Sequence, residues 1–229
     1  MMNYILPHLG LGDYLLCNGL IRNLIKPNEE YILFTNVLHN VSIPFMFRDL
    51  KNLSYLYIPP VEFNGTYILP YIKHHPYHLY VLGYENLNKS TTFGKSCYKQ
   101  FNIDFEKRWS DFYVERDLKR EKEFFSEFNV KEGEYIFLHE GGSANENFID
   151  RSKITLDLKI IEPQKYLTNN IFDYCYLIEN AAEIHVIESA FFFLIDSIPT
   201  NGKLFAHEYS RLLYDYTKAD TKKQWTIYK

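Results

Sequence analysis

The apolar run Asn3-Tyr4-Ile5-Leu6 passes through Pro7-His8-Leu9-Gly10-Leu11-Gly12-Asp13 into a helical pattern of Leu15, Leu16, Leu20, Ile21, Leu24 and Ile25. A buried strand, a glycine turn and a helix opened by an acid make the start of a β-α repeat, which commits a chain to parallel strands and an α/β architecture. Ligands of open α/β sheets bind beyond the carboxyl ends of the strands. His8 and Asp13 therefore fall where a first βα loop places chemistry. A second strand-loop-helix lies near the other end, Glu183 to Ile187 followed by Glu188-Ser189 and the apolar stretch from Ala190. Two such loops predict two Rossmann-like halves facing a cleft.

The rest of the chain extends the alternation. The patterns predict strands at Tyr31 to Phe34, Leu53 to Ile58, Glu134 to Leu138, Leu158 to Ile161, Lys203 to Ala206 and Trp225 to Tyr228. They predict helices at Asp13 to Ile25, Val37 to Leu50, Leu87 to Phe101, Asp117 to Phe128 and Ala190 to Ile198, and one from Ile171 to Ala182 capped by Asn169 or Asn170. Between Val61 and Tyr84 the chain is rich in Tyr, His and Pro, with short strands expected at Tyr67 to Tyr71 and Leu79 to Leu82. The charged and aromatic run Phe105 to Val114 reads as the crossing between halves. The expected domains are residues 1–108 and 109–229.

Composition excludes several classes. A length of 229 residues, 46% hydrophobic, supports a full core in one or two domains. A net charge of −4 gives no electrostatic case for nucleic acid. No apolar run approaches the roughly 20 residues of a membrane helix, so no integral membrane segment is expected. Cys17, Cys97 and Cys175 fit neither a zinc pattern nor a disulfide framework. Cys17 and Cys175, on expected helices, read as buried hydrophobes, which fits a reducing compartment, and with no signal peptide at the start of the chain the expected location is cytoplasmic.

Gly10-Leu11-Gly12-Asp13 matches only part of a dinucleotide fingerprint. The third glycine position holds Leu15, and Phe34-Thr35-Asn36 stands where a ribose-binding acid belongs. An oxidoreductase of Rossmann type is thus the weaker reading, and no cofactor is expected. Asp13 has two possible roles, general base or helix cap. His139-Glu140-Gly141-Gly142-Ser143 follows a strand and leads towards Arg151 and Lys153, one a fork and one a point charge for a diphosphate. Those cations also suit a solvated loop. The helix start at Glu188-Ser189 could hold phosphate through its N–H groups and the Ser189 hydroxyl, with Glu188 suited to ribose hydroxyls, or it is an ordinary cap. Pro76 breaks the helical spacing of His74 and His78, and no Asp-X-Asp pair occurs, so no metal site is expected.

The block Gly10-Leu11-Gly12-Asp13 with the helix to Arg22 resembles the start of heptosyltransferases, which are glycosyltransferases of the GT-B fold. The segments Phe101 to Asp117, Tyr135 to Ile154 and Asn170 to Ser197 resemble small glycosyltransferase-like proteins of large DNA viruses and bacterial surface-polysaccharide clusters. Those proteins carry His-Asp-Asp and Asp-Ser-Ser where this chain has His139-Glu140-Gly141 and Glu188-Ser189-Ala190. The resemblance implies transfer of a sugar from a nucleotide-diphosphate donor to a glycan acceptor; the missing Asp-X-Asp pair and the cations Arg151 and Lys153 add the expectation of metal independence, and one base with a single displacement that of inversion. It implies Asp13 as base, with His8 as the second candidate. It places the donor on Gly12, His139, Glu140, Gly141, Arg151, Lys153, Glu188 and Ser189. The competing expectation is a non-catalytic nucleotide- or sugar-binding module.

Overall fold

The computed structural model describes residues 1–8, 10–59, 68–83, 92–141, 149–164, 166–207 and 221–229. Gly142, Ser143, Asn147, Phe148 and residues 61–67 and 84 of the Tyr-, His- and Pro-rich stretch lie outside them, as does the part of the expected Leu87 to Phe101 helix before residue 92. The chain forms two units, Met1–Glu115 and Arg116–Lys229.

The first unit holds a parallel sheet of order β3-β2-β1-β4, built from β1 (Met2–Leu6), β2 (Tyr31–Asn36), β3 (Leu53–Ile58) and β4 (Tyr77–Val81). Its helices are α1 (Leu11–Leu16), α2 (Asn18–Leu24), α3 (Ser42–Met46), α4 (Phe93–Gln100) and α5 (Lys107–Ser110). Tyr4, Ile5 and Leu6 are almost entirely buried, as a strand covered on both faces requires.

The helix expected from Asp13 to Ile25 begins two residues earlier and is broken at Cys17. Asp13 is the third residue of α1, and its carboxylate reaches back to accept from the Gly10 N–H at 3.2 Å. The break comes from Tyr98 on α4. Its hydroxyl accepts from the Leu20 N–H (3.0 Å) and donates to the Leu16 carbonyl (3.1 Å). These two groups would bond each other in a continuous helix, so the phenol is inserted into the ladder.

Directly below, Gly19 lets α2 approach α5. A Cβ at Gly19 would lie 2.1 Å from the Lys107 carbonyl oxygen. The run Phe105 to Val114 thus belongs to the first unit. Asn18 exchanges two hydrogen bonds with the Tyr113 backbone (3.2 and 3.0 Å), and Arg22 donates to the Tyr113 carbonyl at 2.8 Å. Arg108 is fully buried against Trp109 and Phe105. These ties carry the first unit past residue 108.

Two other expectations fail at prolines. The helix from Val37 to Leu50 is replaced by a 3₁₀ turn, Val37–His39, and the short α3 containing Pro44. Asn36 caps the turn by accepting from the Leu38 N–H at 3.0 Å. Leu69–Tyr71 is a 3₁₀ turn rather than a strand, with Pro70 inside it.

The second unit holds a parallel sheet of order β6-β5-β7-β8-β9: β5 (Tyr135–His139), β6 (Lys159–Ile161), β7 (Glu183–Ile187), β8 (Lys203–His207) and β9 (Thr226–Tyr228). Its helices are α6 (Leu118–Ser126), α7 (Cys175–Glu179) and α8 (Ala190–Ser197). Every residue of β7 is buried. Asp117 caps α6 through the Arg120 N–H, and Arg116 pairs with Glu121 and Glu179. Asn170 caps a 3₁₀ turn, Ile171–Tyr174, that runs into α7, and the helix stops at Glu179 rather than Ala182. Among the described residues no helix is long and apolar enough to cross a membrane.

Candidate functional site

Strand order locates the crevices. In the first sheet the chain proceeds outward from β1 through β2 to β3 on one side, and β4 lies on the other. The direction therefore reverses between β1 and β4. In the second sheet β6 lies on one side of β5 and β7 to β9 on the other, so the reversal falls between β5 and β7. Ligands of such sheets bind at the carboxyl ends of strands at these reversals.

At the first reversal, Leu82 N–H donates to the Leu6 carbonyl (2.8 Å), and His8 makes a hydrogen bond with the backbone of Gly83. The His8 ring lies 4.6 Å from that of Phe93. Burial pushes the imidazole below its ordinary range, opposed by the Gly83 bond, and so favours its neutral form. Gly83 is required here: its φ is +78°, and a Cβ would come within 2.4 Å of the Phe93 ring and 2.9 Å of Cys97 Sγ. Asp13 stands one helical turn beyond, partly exposed. A Cβ on Gly10 would lie 2.8 Å from its Oδ2. Gly12 is inside α1 with a negative φ, so it is a helix residue and not a turn.

Behind this loop Cys17 and Cys97 are fully buried. Their mutual hydrogen bond, with burial, raises the Cys17 thiol well above its ordinary range. They are inert thiols, as is Cys175.

At the second reversal, Ser189 Oγ and His139 Nδ1 are 3.0 Å apart, joining the ends of β5 and β7. Ser189 is the residue before α8 but does not cap it by its side chain; its hydroxyl goes to His139. The His139 ring also lies 4.6 Å from Phe191, and Gly141 sits beside its Nε2. Glu140 accepts from the Ile149 N–H at 2.6 Å and from Arg151. Arg151 also donates to Glu162 at 2.7 Å, so one guanidinium stands between two carboxylates. Both carboxylate oxygens of Glu188 are buried. Lys153 is placed differently, 5.7 Å over the Tyr228 ring.

The structure thus joins His139 to Ser189 and Glu140 to Arg151, and directs Lys153 to β9. Glu162 was not foreseen; it is the residue after the β6 run, where strand-end acids deserve inspection. His74 and His75 precede β4 and His78 lies on it. Among the described residues no three His, Cys, Asp or Glu side chains gather as a metal site.

Neither the family models nor the curated proteins contain a match to this chain. Among solved structures the chain is similar to the crystal structure of the glycosyl transferase family 9 from Veillonella parvula DSM 2008. The match has a TM-score of 0.60 at 10% identity and covers 99% of this chain and 86% of that one. At that identity the likeness is one of fold.

Proposed function

We propose that this chain is a glycosyltransferase that moves a sugar from a nucleotide-diphosphate donor to a glycan acceptor, without a metal ion and with inversion. The observation that carries the reading is the fold likeness, along 99% of the chain, to a protein described as glycosyl transferase family 9. The second unit takes the donor and the first takes the acceptor. Asp13 removes the proton of the attacking hydroxyl, with His8 as the second candidate. Single displacement by one base inverts the anomeric carbon.

The leaving diphosphate is stabilised by Arg151, Lys153, the Ser189 hydroxyl and the first N–H groups of α8. His139, Gly141 and Gly12 shape the donor and loop surfaces, and Glu140 and Glu188 accept from sugar or ribose hydroxyls. The location that accords with three buried free thiols is the cytoplasm.

Arg151→Ala should weaken binding of a nucleoside diphosphate by about 1.5 to 3 kcal/mol, the range of a charge-assisted hydrogen bond. The lower end is expected, because the guanidinium leaves two carboxylates to meet phosphate. Equal affinity of variant and wild type in titration calorimetry would remove Arg151 from the donor site. Cations supplied by the chain make a divalent ion unnecessary, so turnover should persist in EDTA. Loss on chelation with recovery on adding Mn²⁺ or Mg²⁺ overturns the leaving-group chemistry.

One observation favours a second reading. The Asp13 carboxylate is engaged with the Gly10 N–H as a helix cap, which suits a binding module that catalyses nothing. Such a module would bind nucleotide sugars and release no nucleoside diphosphate with any acceptor.

A further inference from the structure

The second sheet contains a row of buried polar side chains that the proposed chemistry does not use. Glu183 and His185 on β7 and His207 on β8 have no exposed surface. His185 Nδ1 and His207 Nε2 face each other at 3.1 Å, and His185 Nε2 lies 3.4 Å from Glu183 Oε2. Glu183 in turn accepts from the Thr155 N–H (3.3 Å) and the Thr155 hydroxyl. The His185 ring is stacked on Phe205 with centroids 4.4 Å apart.

Above the row lies the segment 149–155, which bears Arg151 and Lys153. Ile149 is buried with Leu138 and Ile187, and Ile154 packs against them. Thr155 is held by Glu183, Asp150 acts electrostatically on His207, and Lys153 stands over Tyr228, the β9 neighbour of His207. Among the described residues the charged and titratable groups that face the histidine pair include Glu183 from β7, Asp150 from the covering segment and Tyr228 from β9, with Lys153 one ring further out.

Two ring nitrogens 3.1 Å apart can hold one hydrogen between them. One must donate and the other accept. A hydrogen on both forces the rings apart, and each added proton also brings charge into a region without solvent. We propose that Thr155–Glu183–His185–His207 is a proton-operated latch on the 149–155 segment, closed while the two imidazoles share a hydrogen and opened by acid. His207, the last residue of β8, is the moving part, drawn towards Asp150 at the sheet edge.

The direction follows from linkage. Burial, with His185 beside it, pushes His207 down to about 4, against the pull of Asp150, and burial also lowers His185. Burial raises Glu183, but its bonds from Thr155 and His185 outweigh this and hold it below its ordinary range. A histidine depressed in the folded state contributes stability that is present above about pH 6.5 and is lost as pH falls through the folded value. The latch is thus closed at neutral pH and opens below it.

Hydrogen exchange of the full chain tests this without any ligand, so the latch stands or falls separately from the glycosyltransferase reading. After correction for intrinsic rates, protection of the 149–155 amides should fall about tenfold or more between about pH 7.5 and about pH 5. The amides of β5 and β7 should keep theirs. His207→Gln, or His185→Gln if the first does not fold, should abolish that pH dependence. Equal protection at both pH values in the wild type overturns the latch, as does a parallel loss throughout the second unit, which would make the row a determinant of global stability alone.

Discussion

Asp13→Asn should lower kcat by about 10²- to 10⁴-fold while leaving donor affinity and folding near wild type. Separation of the two effects follows from how α1 begins. The Asp13 carboxylate accepts from the Gly10 N–H at 3.2 Å, and an amide oxygen accepts the same bond, so Asn preserves the helix start. What Asn lacks is the basicity to take a hydroxyl proton. A variant that folds as well as the wild type and turns over as fast would leave Asp13 as a cap. His8→Ala is the companion measurement, because His8 lies on the same loop and burial favours its neutral form. A normal rate for Asp13→Asn with a collapsed rate for His8→Ala transfers the role to His8. Normal rates for both place the base elsewhere. The assay is release of nucleoside diphosphate with and without acceptor.

Gly19→Ala should destabilise the first unit by about 3 kcal/mol, the upper part of the range for overpacking. The added methyl would sit 2.1 Å from the Lys107 carbonyl oxygen and 2.9 Å from its carbon. Both are backbone atoms, fixed by hydrogen bonds from Asp111 to Lys107 and from Lys107 to Asp104. No side chain can swing aside. Relief requires α2 and α5 to part, which would strain the Asn18 and Arg22 bonds to Tyr113. Gly133→Ala is a control of another kind. Its φ is +75° but a Cβ there meets nothing within 4 Å, so any cost is conformational alone. Chemical denaturation followed by tryptophan emission in a Trp225→Phe background reads the first unit through Trp109. A Gly19→Ala variant as stable as wild type would show that the α2–α5 approach yields freely.

The parallel strands were legible because buried strands of an α/β sheet are short apolar runs between punctuation. Leu53–Ile58 and Glu183–Ile187 coincide with the runs that predicted them. Helix boundaries were less legible because they depend on partners distant in sequence. Nothing near Cys17 announces a break; the cause is Tyr98. The site was legible as positions and not as pairings. Strand ends pointed to His8, His139, Glu140 and Ser189, but the bond between Ser189 and His139 depends on β5 and β7 being neighbours. Glu183 and His185 carry a signal of their own, since two ionisable residues on one face of a buried strand require partners in the interior.

The phenol of Tyr98 makes the division of the first helix depend on a single distant side chain. Because it divides one helix into two, the bond from Leu20 to Leu16 is replaced by two bonds to a side chain, while α2 is fastened through Asn18 and Arg22 to Tyr113. The junction between the piece that bears the acid and the piece that is fastened is therefore a side chain on α4. Substitution at that distant position would let the Leu20 N–H and the Leu16 carbonyl bond each other, joining α1 and α2 into one helix without touching the loop before Asp13.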